Sequence, residues 1–329
     1  MKIAIIGAGI SAITIAQNLK EIAEVSLFEK SRAVGGRMAL RRPAPYEFDH
    51  GAQFFTAKGS NFKKFINPLI KNNIIKRWDA CFAEFIGNKL LRTTTWDAEY
   101  PHYVGVPGMN SIAEYLSKEL NVKLNTKVSK VVKNTVNNWE LFDDHSNNLG
   151  KFDWVISTAP AIQSAEILPQ FFKYHNDLID RKMVGCFSLM LGFKKPIPLL
   201  WNAALIREAD ISWISINSSK PDRGKAFSML IHSTNAWAEK HLSDDSQSVI
   251  SYLNNETSRI IGHDTNKADH IDLHAWRYAN ISKQPKSDLL IDYDIRIAAC
   301  GDWLTHGRVE NAFEAGFMMA REIKKIIID

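Results

Sequence analysis

The chain carries little sulfur chemistry: three cysteines in 329 residues, Cys81, Cys186 and Cys300. They lie far apart and no CxxC occurs, so neither a disulfide framework nor a zinc site is indicated. No apolar run approaches the ~18 residues of a membrane span. The N-terminus opens directly on a strand-like run, without a charged leader or a small-residue cleavage site. A cytoplasmic protein with no membrane partner is therefore expected. Basic residues come in pairs such as Arg41-Arg42 and Lys63-Lys64, and the net charge of +5 is modest. That argues against nucleic acid as a partner and is compatible with an anionic small ligand. No GxSxG elbow supports serine hydrolase chemistry. Internal repeats, low-complexity tracts and disordered linkers are also missing.

What the chain does have is concentrated in its first thirty residues, KIAIIGAGISAITIAQNLKEIAEVSLFEK from Lys2 to Lys30. A β-branched run (Ile3, Ile5, Ile6) ends in Gly7-Ala8-Gly9. Ile10, Ile13, Ala16, Leu19 and Ala23 then recur at three- and four-residue steps, the spacing of a helix with one face on a sheet. Val25 to Phe28 forms a second strand and delivers Glu29 to its end. Strand, glycine turn, helix, strand and acid make a dinucleotide-binding unit. Gly7 permits the tight turn, and Gly9 lets the backbone approach a pyrophosphate. The helix N-terminus offers free N–H groups and a positive dipole end to the phosphates. Glu29 is placed to accept hydrogen bonds from a ribose diol and would repel a 2′-phosphate. Ala12 stands at the third glycine of the fingerprint, a tolerated variant.

Further along, Ser31 to Met38 and Phe48 to Thr56 read as close-approach loops. A helical pattern begins at Ser60 and is interrupted near Pro68. Trp78 to Trp96 alternates in short β-like pieces. Ser111 and Glu114 form a capping-box pattern. Strands are expected at Val122–Val132, Trp139–Phe142 and Phe152–Ser157, with a hairpin turn over Asp143–Asn148. Ser188–Phe193, Ile211–Asn217 and Phe227–His232 read as an antiparallel sheet. Asp244 to Ile261 is an amphipathic helix stopped by Gly262. Asp269 to Tyr278 returns as a strand, Arg296–Gly301 is a final buried strand, and Val309 to Ile327 is a long helix.

The end of the chain bears on the cofactor. A strand runs into Gly301-Asp302, and Gly307-Arg308-Val309-Glu310-Asn311-Ala312 opens the last helix. A carboxylate there can bind a polyol hydroxyl, and a helix N-terminus favours a developing anion by about 0.3–1 kcal/mol. A flavin has both features, in its ribityl chain and in the edge that becomes negative on reduction.

On these residues the whole chain resembles the renalase-like flavin oxidoreductases of the flavin amine oxidase superfamily. The matching stretches are GAGISA, SRAVGGR, DHGAQFFTA, YVGVPGMN, FDWVISTAP, ISWISINSSKP–R, HAWRYA and CGDW–GRVENAFEAG, in the family's order. Departures are Ala12 and Asn311, the latter where a glycine is common. The resemblance implies non-covalent FAD, with Gly7, Gly9, Ser11 and Ala12 at the phosphates. Glu29 falls at the adenosine ribose, with Lys30 beside it in the cofactor set. Gly36 and Arg37 lie along the phosphates, Ala52 and Gln53 beside the isoalloxazine, and the Val128 backbone at the adenine. Gly301 and Asp302 meet the ribityl chain, and Val309 the pyrimidine edge of the flavin.

The expected fold class is α/β, a glutathione-reductase-like Rossmann FAD domain interleaved with a mostly antiparallel-sheet α+β substrate domain. Residues 1–75, 101–165 and 280–329 are assigned to the first, and 76–100 and 166–279 to the second. No second GxGxxG occurs, so the electron donor is expected directly over the flavin. Trp213, His232, Trp276, Arg277 and Tyr278 fall on strands of the second domain and are the candidate substrate contacts: aromatics to sandwich a planar ring, Arg277 to pair with phosphate. His270, Asp272 and His274 alternate on one face, read as an exposed strand face and not as a metal site. Cys300 is read as a core thiol.

The expected activity is an oxidase passing hydride from a small donor to flavin N5, with oxygen as acceptor and peroxide as product. The resemblance implies donors of the 2- and 6-dihydro-NAD(P) type. An amine oxidase is the alternative, and a flavin-binding protein without turnover is a third reading. Oligomeric state is left open.

Overall fold

A computed structural model describes residues 1–134 and 138–328. Thr135, Val136, Asn137 and Asp329, inside the segments expected to bind FAD, lie outside the described residues.

Two sheets organise the chain. The first has six strands in the order Leu290–Asp292, Ile297–Ala299, Trp154–Ser157, Lys2–Ile6, Glu24–Phe28 and Asn121–Lys123. Its neighbours run parallel except at the Leu290–Asp292 edge. A parallel sheet is covered on both faces, which is why Ile3 to Ile6 and Val25 to Phe28 are continuous buried runs. Helix Ile10–Leu19 and the long helix Val309–Ile328 pack on one another beside it. A Cβ on Gly316 would overlap the Ser11 backbone, so this close crossing depends on that glycine.

The second sheet has seven strands: His270–Ile281, Met183–Phe193, Phe227–Ser233, Ile211–Ile216, Ala203–Arg207, Cys81–Ile86 and Lys89–Thr95. All neighbours are antiparallel except Ala203–Arg207 with Cys81–Ile86. Helix Ser246–Ile261 covers its back through Val249, Leu253 and Ile260. Asp245 caps that helix through the Gln247 and Ser248 N–H groups, and Gly262 ends it at φ 70°. After contributing Cys81–Ile86 and Lys89–Thr95, the chain returns to this sheet at Met183. Before that, Leu168, Phe172 and Leu178 bury in the core of the first sheet.

Several local expectations need correction. Val122–Val132 is two strands, because Asn125 takes a left-handed conformation (φ 51°) between Lys123 and Val128. Phe152–Ser157 is also two: Phe152 ends a separate three-stranded sheet of Val128–Lys133, Trp139–Asp143 and Asn148–Phe152, and Asp153 turns to bind the Lys2 backbone before Trp154 joins the six-stranded sheet. The capping box at Ser111 does not form. Asn110 is the cap residue, and its amide donates to Glu114. Helix Ser60–Lys71 runs through Pro68, since only one backbone bond is forfeited while Ile66 and Leu69 stay buried. The Asp143–Asn148 hairpin does form, between Trp139–Asp143 and Asn148–Phe152. No helix among the described residues is long and apolar enough to cross a membrane.

Candidate active site

The first strand ends in a glycine-walled cradle. Gly7 has φ 105°, and its N–H bonds the Phe28 carbonyl at 2.8 Å, tying the turn to the second strand. Gly9 is the cap residue of the first helix and supplies no side chain, so the first-turn N–H groups await a partner from outside the helix. A Cβ on Gly9 would meet nothing within 4 Å. The opposite wall is the Gly35-Gly36 turn, held by Gly35 N–H to the Ala8 carbonyl at 2.9 Å. Glu29 is buried, and its carboxylate accepts the Ala8 and Ser31 N–H groups, each at 2.9 Å. Each oxygen keeps a lone pair for a diol. The Ser11 hydroxyl donates to the Ala312 carbonyl at 2.6 Å. Only its backbone remains for a phosphate. Ala12 is fully buried. Lys30 is exposed and reaches Gln163, while Val128 is buried at the start of the three-stranded sheet.

Beyond the cradle, three loops converge. The Arg37 guanidinium spans them, donating to the Ala279 carbonyl at 2.9 Å and to the buried carboxylate of Asp302. The Ala52 N–H bonds the Arg37 carbonyl at 2.8 Å, and a Cβ on Gly51 would overlap that same oxygen. Gly301 is extended, with Trp303 packed over it. Val309 starts the terminal helix, half-buried, and Asn311 donates to the Gly307 carbonyl at 2.6 Å. That bond folds the departing side chain back onto its own loop. Open space at Gly9, free helix N–H groups, a buried ribose-type acid and the Asp302 carboxylate together fit a flavin dinucleotide.

The front of the second sheet faces these loops. Trp276 Nε1 and Ser188 Oγ both donate to the His50 carbonyl, at 2.8 and 2.7 Å, and the His50 ring stacks on Trp276. His232 pairs across the ladder with Trp213, so both side chains share one face. Trp213 lies within 6.4 Å, centroid to centroid, of Phe54, Phe82 and Trp96. His102 stacks on Trp96 at 3.7 Å and 7°. The enclosed Trp213 Nε1, His232 Nε2 and His102 Nδ1 have no hydrogen-bond partner, as polar atoms facing a bound group would. Burial keeps His232 neutral, its pKa pushed down to about 4. Tyr278 is half-buried. Arg277 stands apart: it is exposed, and alternation along the strand turns it away from the face that carries Trp276.

Two further features depart from the sequence reading. His270, Asp272 and His274 do share a face, but it is not an exposed one. His270 stacks on Tyr46 and Phe48, and Arg41 pairs with Asp272 and contacts His274 Nδ1 at 3.1 Å. The second feature is a buried ionic cluster that went unassigned. Asp49 accepts from Lys220 at 3.1 Å, from Arg223 at 2.7 Å and from the Met109 N–H at 2.9 Å, and all three charged side chains are fully enclosed. Burial alone would raise the Asp49 pKa, but the two cations outweigh it and hold the carboxyl below its usual range. The motifs DHGAQFFTA and SKP–R contained these residues; no local pattern linked them.

Comparison with known proteins places the chain. Residues 5–69 match the NAD(P)-binding Rossmann-like domain, and residues 90–324 match the flavin containing amine oxidoreductase family. The chain belongs to that flavin-containing family of oxidoreductases. Among solved structures it is similar to a candidate protoporphyrinogen oxidase from Exiguobacterium sp. 255-15, with TM-score 0.78 and 11% identity over 99% of each chain. It is also similar to wild-type putrescine oxidase bound to putrescine, with TM-score 0.70 and 10% identity over 99% of each chain. At such identities the likeness is one of fold.

Proposed function

We propose that this flavin-dependent oxidoreductase is an FAD oxidase of the renalase-like kind, taking hydride from a planar dihydronicotinamide isomer, with oxygen as the acceptor. The observation that carries the reading is the aromatic wall of Phe54, Phe82, Trp96, His102 and Trp213, which has no carboxylate in it, set beside two buried cations, Lys220 and Arg223. Such a wall stacks a flat ring. The cluster that these cations form with Asp49 carries more positive than negative charge, which disfavours a diammonium substrate beside it. Arg277, turned away from the wall, is not part of this proposal.

In this reading the Gly7–Gly9 turn and Gly36 hold the pyrophosphate, Glu29 the ribose, Asp302 the ribityl chain, and Ala52–Gln53 the ring. Bound there, the flavin supplies a two-electron acceptor that oxygen regenerates with release of hydrogen peroxide. The protein contributes orientation: stacking on Trp213 and Trp96 fixes the donor plane, and neutral His232 neither repels nor titrates near pH 7. No general base is required, because the donor gives up a hydride and leaves as an aromatic cation. We assign the first sheet and its helices to cofactor binding and the second sheet to the substrate.

The test is an anaerobic screen of donors following flavin bleaching. Fast bleaching by 2- and 6-dihydro isomers is expected, with slow bleaching by NADH, since misplacing the donor carbon by about 1 Å can lower the rate by about two orders of magnitude. Fast bleaching by putrescine or benzylamine and none by the isomers would move the protein to the amine oxidases.

The flavin should also leave the chain intact on denaturation in acid. Cys300 is fully buried, and burial pushes its thiol up to about 12, far from a reactive thiolate. Flavin absorbance retained on the denatured chain would contradict this.

A further inference from the structure

The cluster of Asp49, Lys220 and Arg223 holds two cations against one carboxylate, all sealed from water. Lys220 spends its three N–H bonds on Asp49 at 3.1 Å, Gln53 at 3.1 Å and Asn217 at 3.0 Å. Its ammonium also lies 5.4 Å from the Trp78 ring centre. Arg223 uses Nε and one terminal nitrogen on Asp49 and the other on the Pro221 carbonyl. Glu47, which accepts the nearby Gly224 N–H, is itself matched by Arg42 at the surface. His232 is neutral. Burial pushes the Lys220 pKa down to about 8, so at pH 7 the ammonium is still charged and one positive charge is left over.

A surplus buried charge is expensive, and its position suggests a use. The contact of Lys220 with Gln53 leads straight to the flavin loop. The Gln53 amide is saturated: its oxygen accepts from Lys220 and from Ser215 at 2.9 Å, and its nitrogen donates to the Asp49 and Gly51 carbonyls. The Gln53 side chain thus staples residues 49–53 into one shape instead of reaching for a ligand, and the cation sits directly behind it. In a water-free interior such a charge acts over several ångströms with little screening.

We propose that Lys220 and Arg223 are positioning residues that set the reduction potential of the flavin, their surplus charge favouring the reduced, negatively charged ring and anionic adducts over the neutral oxidised ring. This rests on the reading that Ala52 and Gln53 lie beside the ring. It does not depend on the identity of the hydride donor.

Two neutral variants of the flavin-loaded protein test it, Lys220→Met and Arg223→Met, because either one cancels the surplus. The readouts are the midpoint potential and the dissociation constant for sulfite, which adds to oxidised flavin as an anion. Each variant should bind sulfite at least tenfold more weakly. Each should also shift the reduced-to-oxidised ratio at fixed potential about tenfold toward oxidised, about 30 mV for a two-electron couple. Lys220→Arg, which keeps the charge, should stay near wild type. Unchanged potential and sulfite affinity in either folded, yellow neutral variant would overturn the proposal. So would loss of flavin from both neutral variants at intact fold, which would assign the cluster to loop construction alone. If wild-type protein binds no flavin, the functional reading itself fails, a result that cannot be mistaken for the others.

Discussion

Gly9→Ala should remove flavin from a protein that is otherwise undisturbed. Gly9 has φ −76° and ψ 179°, a conformation alanine adopts freely, and the added Cβ would point into open space. Losing a glycine cap from a helix weakens the native state slightly, while restricting the unfolded chain offsets about 0.4–1 kcal/mol of that. Unfolding free energy should therefore change by less than about 1 kcal/mol. On the proposed placement of the pyrophosphate the same methyl stands between it and the helix N–H groups, so flavin should bind at least tenfold more weakly, about 1.4 kcal/mol. Gly51→Ala is the informative contrast. Its Cβ overlaps the Arg37 carbonyl, which already accepts the Ala52 N–H, so the two loops must part. That variant should lose both flavin and stability, the latter by about 1–3 kcal/mol or more. Isothermal titration with FAD and urea unfolding separate the two cases. A Gly9→Ala protein that retains flavin at wild-type affinity would show that the cradle lies elsewhere.

The contrast between these glycines also marks how far the sequence could be read. Gly9 was legible because strand, turn, helix and Glu29 fall within thirty residues and each local pattern supports the next. Gly51 appeared only as part of a loop, since its constraint comes from Arg37 through tertiary packing. Most of the second sheet was legible as strands, but Ala203–Arg207 inside it was not. Which face turns toward the His50 loop was not legible either, because alternation separates Trp276 from Arg277 without saying which of them looks inward. The buried cluster lay beyond reach for a stronger reason: Asp49 and Lys220 are 171 positions apart, and nothing local to either demands the other. The strand breaks at Asn125 and Asp153 were missed similarly. β-forming stretches flank both positions, and at each the chain passes from one sheet to another.

Acid should unfold the protein at or above the pH at which its carboxylates titrate. His50, His232 and His274 face the loops and front sheet around the site, and burial, the largest influence on each, pushes their pKa values down to about 3, about 4 and about 4. His50 is further lowered by His274 and Arg41, and His274 by Arg41. In the unfolded chain each takes its proton near 6.5. Between about 6.5 and about 4 the unfolded state therefore holds more protons than the folded state, and stability falls as pH falls. Three such groups give a slope of at most ~4 kcal/mol per pH unit, at ~1.4 kcal/mol per proton, and less for His274, which solvent partly screens. Set against a typical reserve of about 5–15 kcal/mol, this loss brings the midpoint of acid unfolding to between about pH 4 and about pH 5.5 for a protein in the lower half of that range. Asp49 enters later. Its depressed pKa supplies stability that is present above about 3.8 and is lost only as pH falls below that, when the fold has already opened. Urea unfolding at half-unit steps from pH 7.5 to 4.5 measures the slope directly. His274→Gln keeps an acceptor for the Arg41 contact and should lower the slope by at most about one proton. A wild-type slope below one proton across this range would mean that these histidines accept protons in the folded state, and that the face around Trp276 is open to water.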